Sequence, residues 1–242
     1  MANIHFQMTN DSSNELVLAL GGAFNPLHTQ HIESMNIAKK YLEFIGYKVI
    51  EGYLVPSTQS YVKNKLKNEE SDGILLKEHH RINMCNLAAD EENSWLRKVS
   101  KCYGSAYECI KKSKYQKVIV VGTDRAINKR DQLKWANNAK NLDTLIVIIN
   151  RGGYNEKVMS IKNQLNNYDE NNLPNPKRIH FVDAEETDNV SSTKVREYLK
   201  DLNKMRNFND ECLEIIKNLI DKKFLTQKAA NYILSNIYDL FA

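Results

Sequence analysis

The chain of 242 residues is 42% hydrophobic and 26% charged, a composition typical of a soluble globular protein, and its length fits one large α/β domain. Its formal net charge of +4 is too small and too dispersed to indicate a nucleic-acid-binding protein. No apolar run approaches the roughly 18 residues of a membrane span, so a membrane partner is not expected.

The N-terminal segment is polar and has neither the basic region nor the apolar region of a signal peptide. We expect a flexible tail over residues 1–14 and a single domain over residues 15–242. The four cysteines form no CxxC pair, so their spacing indicates neither a disulfide framework nor a metal knuckle. Reduced thiols are typical of a reducing compartment, which predicts a cytoplasmic location with the nucleus as the alternative.

Short apolar runs alternate with helical patterns along the chain. The candidate strands are residues 16–20, 47–55, 117–121, 144–149 and 178–182. The candidate helices are residues 32–45, 79–89, 105–112, 155–166 and 193–202, with two more between 211 and 240. The polar segments 63–73 and 163–177 are predicted as loops. The alternation predicts an α/β fold, with a Rossmann-like doubly wound parallel sheet, helices on both faces and a helical C-terminus.

The segment LGGAFNPLHTQH follows the first predicted strand and leads into a helix. Gly21 and Gly22 allow a ligand to approach the backbone, and Pro26 suits a tight turn. The free N–H groups of the next helix would make an anion site there. His28 and His31, three residues apart, could face the same anion. The alternatives are a surface His28 with a packing His31, or a metal site, which is disfavoured because the HExxH spacing is absent.

A second polar segment, DNVSSTKVREYL, begins a later predicted helix. Ser191 and Ser192 are candidate N-cap residues. Lys194 and Arg196 lie in the first turn, where cations oppose the helix dipole. A bound polyanion would make both charges favourable. The alternative is an ordinary exposed helix start.

Together, GAFNPLHTQH and VSSTKVR resemble the two signatures of the nucleotidylyltransferase superfamily, with Gln30 where most bacterial members have glycine. The resemblance implies that His31 and Arg196 act in catalysis. It also implies a set of residues that bind the ATP phosphates: Gly22, Ala23, Phe24, His28, His31, Ser192, Thr193, Lys194 and Arg196.

Two central segments, VPSTQSYVKNKL and HHRINMCNLAADEENSWL, resemble nicotinamide/nicotinate mononucleotide adenylyltransferases of the eukaryotic type. This resemblance implies that Lys63 neutralises the attacking phosphate. The later segments VIVVGTDRAINKRDQLKW and VIINRGG also resemble this family, and the resemblance implies further contacts with the mononucleotide or NAD from Tyr107, Gly122, Asp124, Trp135 and Arg151. Structural alternatives stay open, because Asp124 could be a helix cap, Trp135 could be a core residue and Lys63 could be merely solvated.

The implied activity is that of a nucleotidyltransferase, which forms NAD or its nicotinate analogue and pyrophosphate from ATP and the mononucleotide. Mg²⁺ would be bound mainly by the ATP phosphates and water, without a protein metal site. The expected partners are these small molecules, and the sequence leaves homo-oligomer formation open. The alternatives are a pantetheine-phosphate adenylyltransferase, a cytidylyltransferase, or a non-catalytic nucleotide-binding or chaperone-like module.

Overall fold

The computed structural model describes residues 14–68, 74–89, 93–126, 144–151, 156, 158–160, 163, 178–184, 190–205 and 209–242. Several predictions fall on residues outside these ranges. They concern the N-terminal tail up to residue 13, Trp135, most of the helix 155–166, and residues 164–177 of the second loop. The division into a tail and one domain therefore stays a prediction.

The described strands are β1 (Glu15–Gly22), β2 (Lys48–Pro56), β3 (Leu96–Arg97), β4 (Gln116–Gly122), β5 (Thr144–Arg151) and β6 (Ile179–Ala184). They form one sheet in the order β3-β2-β1-β4-β5-β6, and each neighbouring pair is parallel. All five predicted strands are present. The sequence analysis missed β3, which pairs only through Gly52–Leu96 and Tyr53–Arg97 and is too short to leave a pattern.

The described helices are α1 (Thr29–Phe44), α2 (Gln59–Asn68), α3 (Glu78–Leu87), α4 (Ala106–Ile110), α5 (Thr123–Ala126), α6 (Ser192–Lys204), α7 (Asp210–Asp221) and α8 (Gln227–Ser235). None of them is long and apolar enough to cross a bilayer. The predicted loop at residues 63–73 was wrong over its first part, which belongs to α2. Val62 and Leu66 are buried one turn apart and hold this otherwise polar helix on the core.

Alternate residues of β1 enter two separate cores. Leu16 and Leu18 pack in a cluster with residues of α1, α3 and the C-terminal helices, whereas Val17 and Ala19 pack in a second cluster with residues of α4 and α5. All four are fully buried. A strand covered on both faces needs a continuous apolar run, which is the pattern that β1 shows in the sequence. The predicted doubly wound α/β fold with a helical C-terminus is confirmed.

The strand order reverses between β1 and β4. The chain runs outward from β1 through β2 to β3, and then crosses back to β4 on the other side of β1. Leu20 pairs with Val120, so Gly21, Gly22 and Gly122 lie at the same carboxyl edge of the sheet. Ligands of open α/β sheets bind in the crevice at this switch point.

Candidate nucleotide-binding site

A pocket of about 330 Å³ opens at the switch point. Its lining comes from the ends of β1 and β4, the residue after β2, the starts of α1 and α6, one face of α2 and two residues of α5. The described lining residues are Leu20, Gly21, Gly22, Ala23, Phe24, His31, Ser34, Ser57, Tyr61, Lys65, Gly122, Asp124, Arg125 and Ser192.

The turn after β1 folds closely on itself. Phe24 has a φ of 43°, in the left-handed region, and its side chain is 1% exposed. A Cβ on Gly22 would lie 2.6 Å from the Cε1 atom of the Phe24 ring, so only glycine fits at this position. The edge of the Phe24 ring in turn meets the ring of His31 at 4.8 Å between centroids. The glycine therefore gives room for an aromatic ring that supports the pocket histidine.

His31 is fixed by the residue that begins its helix. The backbone N–H of His28 donates a hydrogen bond to Nδ1 of His31 over 3.2 Å, and the two rings lie 3.7 Å apart. With Nδ1 as acceptor, the neutral His31 ring carries its proton on Nε2. His28 is 3% exposed and is not among the lining residues, so its ring packs against His31 behind the pocket lining. The pair places one N–H donor at the start of α1, where an anion is favoured.

The start of α6 is attached directly to the turn after β1. Ser191 caps the helix, because its hydroxyl accepts a hydrogen bond from the N–H of Lys194 over 3.2 Å. The next hydroxyl, that of Ser192, donates to the carbonyl of Pro26 over 3.2 Å. The two segments that the sequence analysis linked through a common anion are therefore in contact.

Arg196 lies one turn further along α6 and is 7% exposed. Its Nη1 donates to the carbonyl of Asn25 over 3.3 Å, and its Nη2 donates to the hydroxyl of Thr193 over 3.1 Å. Thr193 and Lys194 are exposed beside Ser192 at the helix start. Arg196 is not a lining residue, and these two hydrogen bonds orient the turn and the Thr193 hydroxyl.

Asn25 fastens the same turn to the segment before α3. Its Nδ2 donates to the carbonyl of Ile74 and its Oδ1 accepts from the N–H of Leu76, both over 2.8 Å. The side chain is 1% exposed, so both of its polar ends are satisfied inside the protein.

Arg81, a fully buried residue of α3, joins the ends of the first two strands. Its Nη1 donates to the carbonyls of Ala23 and Ser57, both over 2.8 Å, and its Nη2 donates to Oε1 of Gln59 over 2.9 Å. Burial lowers the pKa of Arg81, yet a guanidinium remains charged in proteins. Its Nη2 also contacts the sulfur of Cys102, and burial raises the pKa of this thiol to about 11. Cys102 is therefore a protonated packing residue at neutral pH rather than a nucleophile.

Residues 19–198 match the profile of the cytidylyltransferase-like family. The chain belongs to this family. Nicotinamide/nicotinic acid mononucleotide adenylyltransferase 1 of Bos taurus is 32% identical over 90 residues, which cover 37% of this chain and 28% of that protein. The adenylyltransferase of the same description from Oryza sativa is 34% identical over 77 residues, covering 32% and 27%. The matched stretch thus spans little more than a quarter of these relatives.

The fold of this cytidylyltransferase-like chain is shared with a solved structure. Nicotinic acid mononucleotide adenylyltransferase of Plasmodium falciparum, complexed with NaAD, superposes with a TM-score of 0.54 at 17% identity. The superposition covers 93% of this chain and 98% of that one, so the likeness extends over the whole domain architecture.

The structure places the predicted phosphate-binding residues around the pocket in two groups. Gly22, Ala23, Phe24, His31 and Ser192 line it, whereas His28, Thr193, Lys194 and Arg196 lie behind or beside the lining.

The residues predicted for the mononucleotide are spread more widely. Gly122 and Asp124 line the pocket. Tyr107 is not a lining residue. Its neighbour Ala106 lies close to the lining, because its Cβ is 3.1 Å from the position that a Cβ on Gly21 would take. Arg151 ends β5, and its side chain, like the whole of Trp135, lies outside the described parts of the chain.

The wall formed by α2 differs from the prediction. Tyr61 and Lys65 line the pocket and lie four residues apart, on one face of the helix. Lys63, the predicted residue, is exposed and is not among the lining residues. The helical spacing between Tyr61 and Lys65 is the sequence signal that could have identified Lys65, but it requires knowing that the segment is a helix.

The pocket has a cationic lining. His31, Lys65 and Arg125 can carry positive charge, and Asp124 is the one acid among the described lining residues. Arg125, which the sequence analysis also missed, donates from Nη1 to the carbonyl of Gly21 over 3.2 Å. A glycine-lined crevice with N–H donors, hydroxyls and cations suits a polyphosphate.

Proposed function

We propose that this chain transfers the adenylyl group of ATP to nicotinamide or nicotinate mononucleotide, forming NAD or its nicotinate analogue and pyrophosphate. The observation that carries the proposal is the hydrogen bond from Ser192 to Pro26, which joins the two segments predicted to bind phosphate at the pocket of the switch point. The names of the relatives in Bos taurus and Oryza sativa support the choice of mononucleotide.

In this reaction a phosphate oxygen of the mononucleotide attacks the α-phosphorus of ATP. A new P–O bond forms, the bond to the β-phosphate oxygen breaks, and pyrophosphate leaves with the electron pair. No protein nucleophile is required, so catalysis consists of positioning and stabilisation of charge.

The phosphates of ATP would lie at the His31 end of the pocket. The Nε2 proton of His31 and the first N–H groups of α6 would donate to the leaving pyrophosphate, while the Ser192 hydroxyl keeps its hydrogen bond to the Pro26 carbonyl. Thr193 and Lys194 would add a hydroxyl and a charge from the same helix start. Arg196 would hold this helix start against the turn after β1 through its hydrogen bond to the Asn25 carbonyl.

The acceptor phosphate would meet the wall formed by α2. Lys65 lines that wall beside Tyr61 and can neutralise the attacking phosphate, which is the role predicted for Lys63. Gly122 at the end of β4 and Asp124 in α5 would contact the nucleotide ribose or base. Stacking of the pyridine ring on Tyr107 and Trp135 and a contact from Arg151 stay predictions.

The oxygen donors of the pocket fit a magnesium ion that is bound through phosphate. Asp124 is the one carboxylate of the described lining, and its other side-chain oxygens are the hydroxyls of Ser34, Ser57, Tyr61 and Ser192. One carboxylate is too few for a cage made of protein ligands. When bound together with ATP, Mg²⁺ would supply positive charge that offsets the negative charge building up on the leaving group.

A pyrophosphate-release assay with purified protein and Mg²⁺ tests the proposal. ATP would be paired with nicotinamide mononucleotide, nicotinate mononucleotide or pantetheine phosphate, and CTP with choline phosphate. We expect pyrophosphate only with a pyridine mononucleotide. Release with pantetheine phosphate or CTP instead would identify another transferase of the family. Stabilisation by NAD in a thermal shift without any release would favour a binding module.

A further inference from the structure

A cluster of histidine and carboxylate groups lies at the start of α3, among residues that the proposed reaction does not use. Nε2 of His79 and Nε2 of His80 lie 3.3 Å and 3.2 Å from the same oxygen of Asp239, Oδ2. The three ligand atoms lie within 4.8 Å of one another. Lys77 pairs with the other carboxylate oxygen, Oδ1, and so leaves Oδ2 to the two histidines.

We propose that His79, His80 and Asp239 form a binding site for a zinc ion. Zn²⁺ binds histidine nitrogen and carboxylate oxygen at about 2.0–2.2 Å in a tetrahedral arrangement, which separates neighbouring ligand atoms by about 3.3–3.5 Å. The two nitrogen–oxygen separations in the cluster are close to this edge length. Two imidazoles and a carboxylate are also a ligand set that Zn²⁺ prefers, with water in the remaining position.

The surroundings of His80 suit a metal ligand. The side chain is 2% exposed, and its Nδ1 lies 2.8 Å from the hydroxyl of Tyr232. With zinc on Nε2, the proton of the neutral ring would sit on Nδ1 and be donated to this hydroxyl, which also accepts from Nδ2 of Asn83 over 2.8 Å. Such a hydrogen bond from the second ring nitrogen orients metal-bound histidines in proteins.

The ion would fasten the C-terminus to the segment before α3. Leu76 and Phe241 form an antiparallel bridge, and the N–H of Lys77 donates to the carbonyl of Leu240 over 3.0 Å. The opposite edge of the same segment holds Asn25 through Ile74 and Leu76. Zinc at Asp239 would thus brace the strand-like segment that supports the turn after β1.

The test measures zinc binding to the full chain after dialysis against a chelator, by calorimetry and by thermal unfolding. We expect one Zn²⁺ per chain and a rise in Tm of roughly 5 °C when zinc exceeds its Kd a hundredfold. Mg²⁺ should produce no such rise. Absence of zinc binding to the wild-type chain would overturn the proposal.

Variants locate the ion. His79→Ala changes an exposed ligand and Asp239→Asn changes the shared carboxylate, and each should weaken zinc binding at least tenfold. Lys77→Ala is the matched control, because it removes a partner of Asp239 but keeps all three ligands. Wild-type binding by both ligand variants would place the zinc elsewhere and refute the site. An equal loss in Lys77→Ala would refute the ligand assignment.

Discussion

Arg196 donates a hydrogen bond over 3.3 Å to the backbone carbonyl of Asn25, a residue 171 positions earlier in the chain. Together with the bond from Ser192 to Pro26, it makes the turn after β1 and the start of α6 one structural unit. A buried arginine that binds a main-chain carbonyl can define the position of a turn more strictly than a solvated one, because its fork of donors has a fixed geometry. The proposed phosphate site therefore depends on a contact between the two motifs as well as on each motif itself.

Replacing His31 tests the donor at the phosphate end of the pocket. His31→Ala removes the Nε2 proton that would stabilise the leaving pyrophosphate, so we expect kcat to fall by about 10²–10³. His31→Gln keeps an amide N–H near that position and should lose less. Steady-state kinetics with ATP and the mononucleotide measures both, with circular dichroism as the control for folding. Wild-type turnover by a folded His31→Ala variant would contradict the assignment.

The choice between Lys65 and Lys63 can be decided on one helix. Lys65→Met should lower kcat/KM for the mononucleotide about 10- to 100-fold, because a hydrogen bond to a charged group contributes about 1.5–3 kcal/mol. The KM for ATP should change little. Lys67→Met, an exposed change on the same helix, is the control and should stay near the wild-type value. A larger loss of kcat/KM in Lys63→Met than in Lys65→Met would assign this role to Lys63, as the sequence analysis predicted.

The features of this protein that depend on local sequence patterns could be predicted from the sequence. The Val, Ile and Leu runs of β1 and β5 predict buried parallel strands, and the strand–helix alternation predicts the fold. The serines before α6 predict a capped helix start, and Ser191 does cap it. Gly21 and Gly22 predict a close approach of a ligand to the backbone, although the structure shows that the ring of Phe24 itself takes the space next to Gly22.

The features that could not be predicted from the sequence depend on packing between distant segments. Lys63 and Lys65 look alike in a polar stretch, and only the helix anchored by Val62 and Leu66 turns one of them towards the pocket. Arg125 and Arg81 donate hydrogen bonds to main-chain carbonyls of β1 and of the turn that follows it. Every residue has such a carbonyl, so the sequence does not indicate which one an arginine will bind. The two-residue strand β3 is defined by its pairing with the edge of β2 rather than by a sequence pattern of its own.

Arg81 should contribute to stability more than any exposed arginine of the chain. Arg81→Met leaves the carbonyls of Ala23 and Ser57 without this donor, and we expect the free energy of unfolding to fall by about 2–4 kcal/mol. Arg97→Met is the control, because its ion pair with Glu51 spans 3.6 Å at the surface and should be worth less than about 1 kcal/mol. Urea unfolding measures both variants. Equal losses would show that the buried contacts of Arg81 do not hold the strand ends together.

We expect His180 to make the folded protein sensitive to acid. Burial lowers the pKa of His180 in β6, where its Nδ1 lies 3.0 Å from the hydroxyl of Tyr41. Its Nε2 is buried and has no hydrogen-bond partner among the described residues, so the charged ring would be poorly accommodated. An unfolded chain takes up a proton near pH 6.5, whereas the folded chain resists it until a lower pH. Above about pH 7 the ring is neutral in both states, so its titration does not change the free energy of unfolding. As the pH falls below about 6.5, the unfolded chain binds the proton more readily than the folded chain, and the free energy of unfolding decreases.

The measurement for His180 is urea unfolding of the wild type and of His180→Gln at pH 7.5 and 5.5. Glutamine keeps a polar side chain but does not titrate in this range. We expect the wild type to lose more stability than the variant on acidification, so that the difference between the two proteins shifts in favour of His180→Gln at pH 5.5. A difference that is the same at both pH values would mean that His180 binds its proton equally in the folded and unfolded chains, contrary to the effect of its burial.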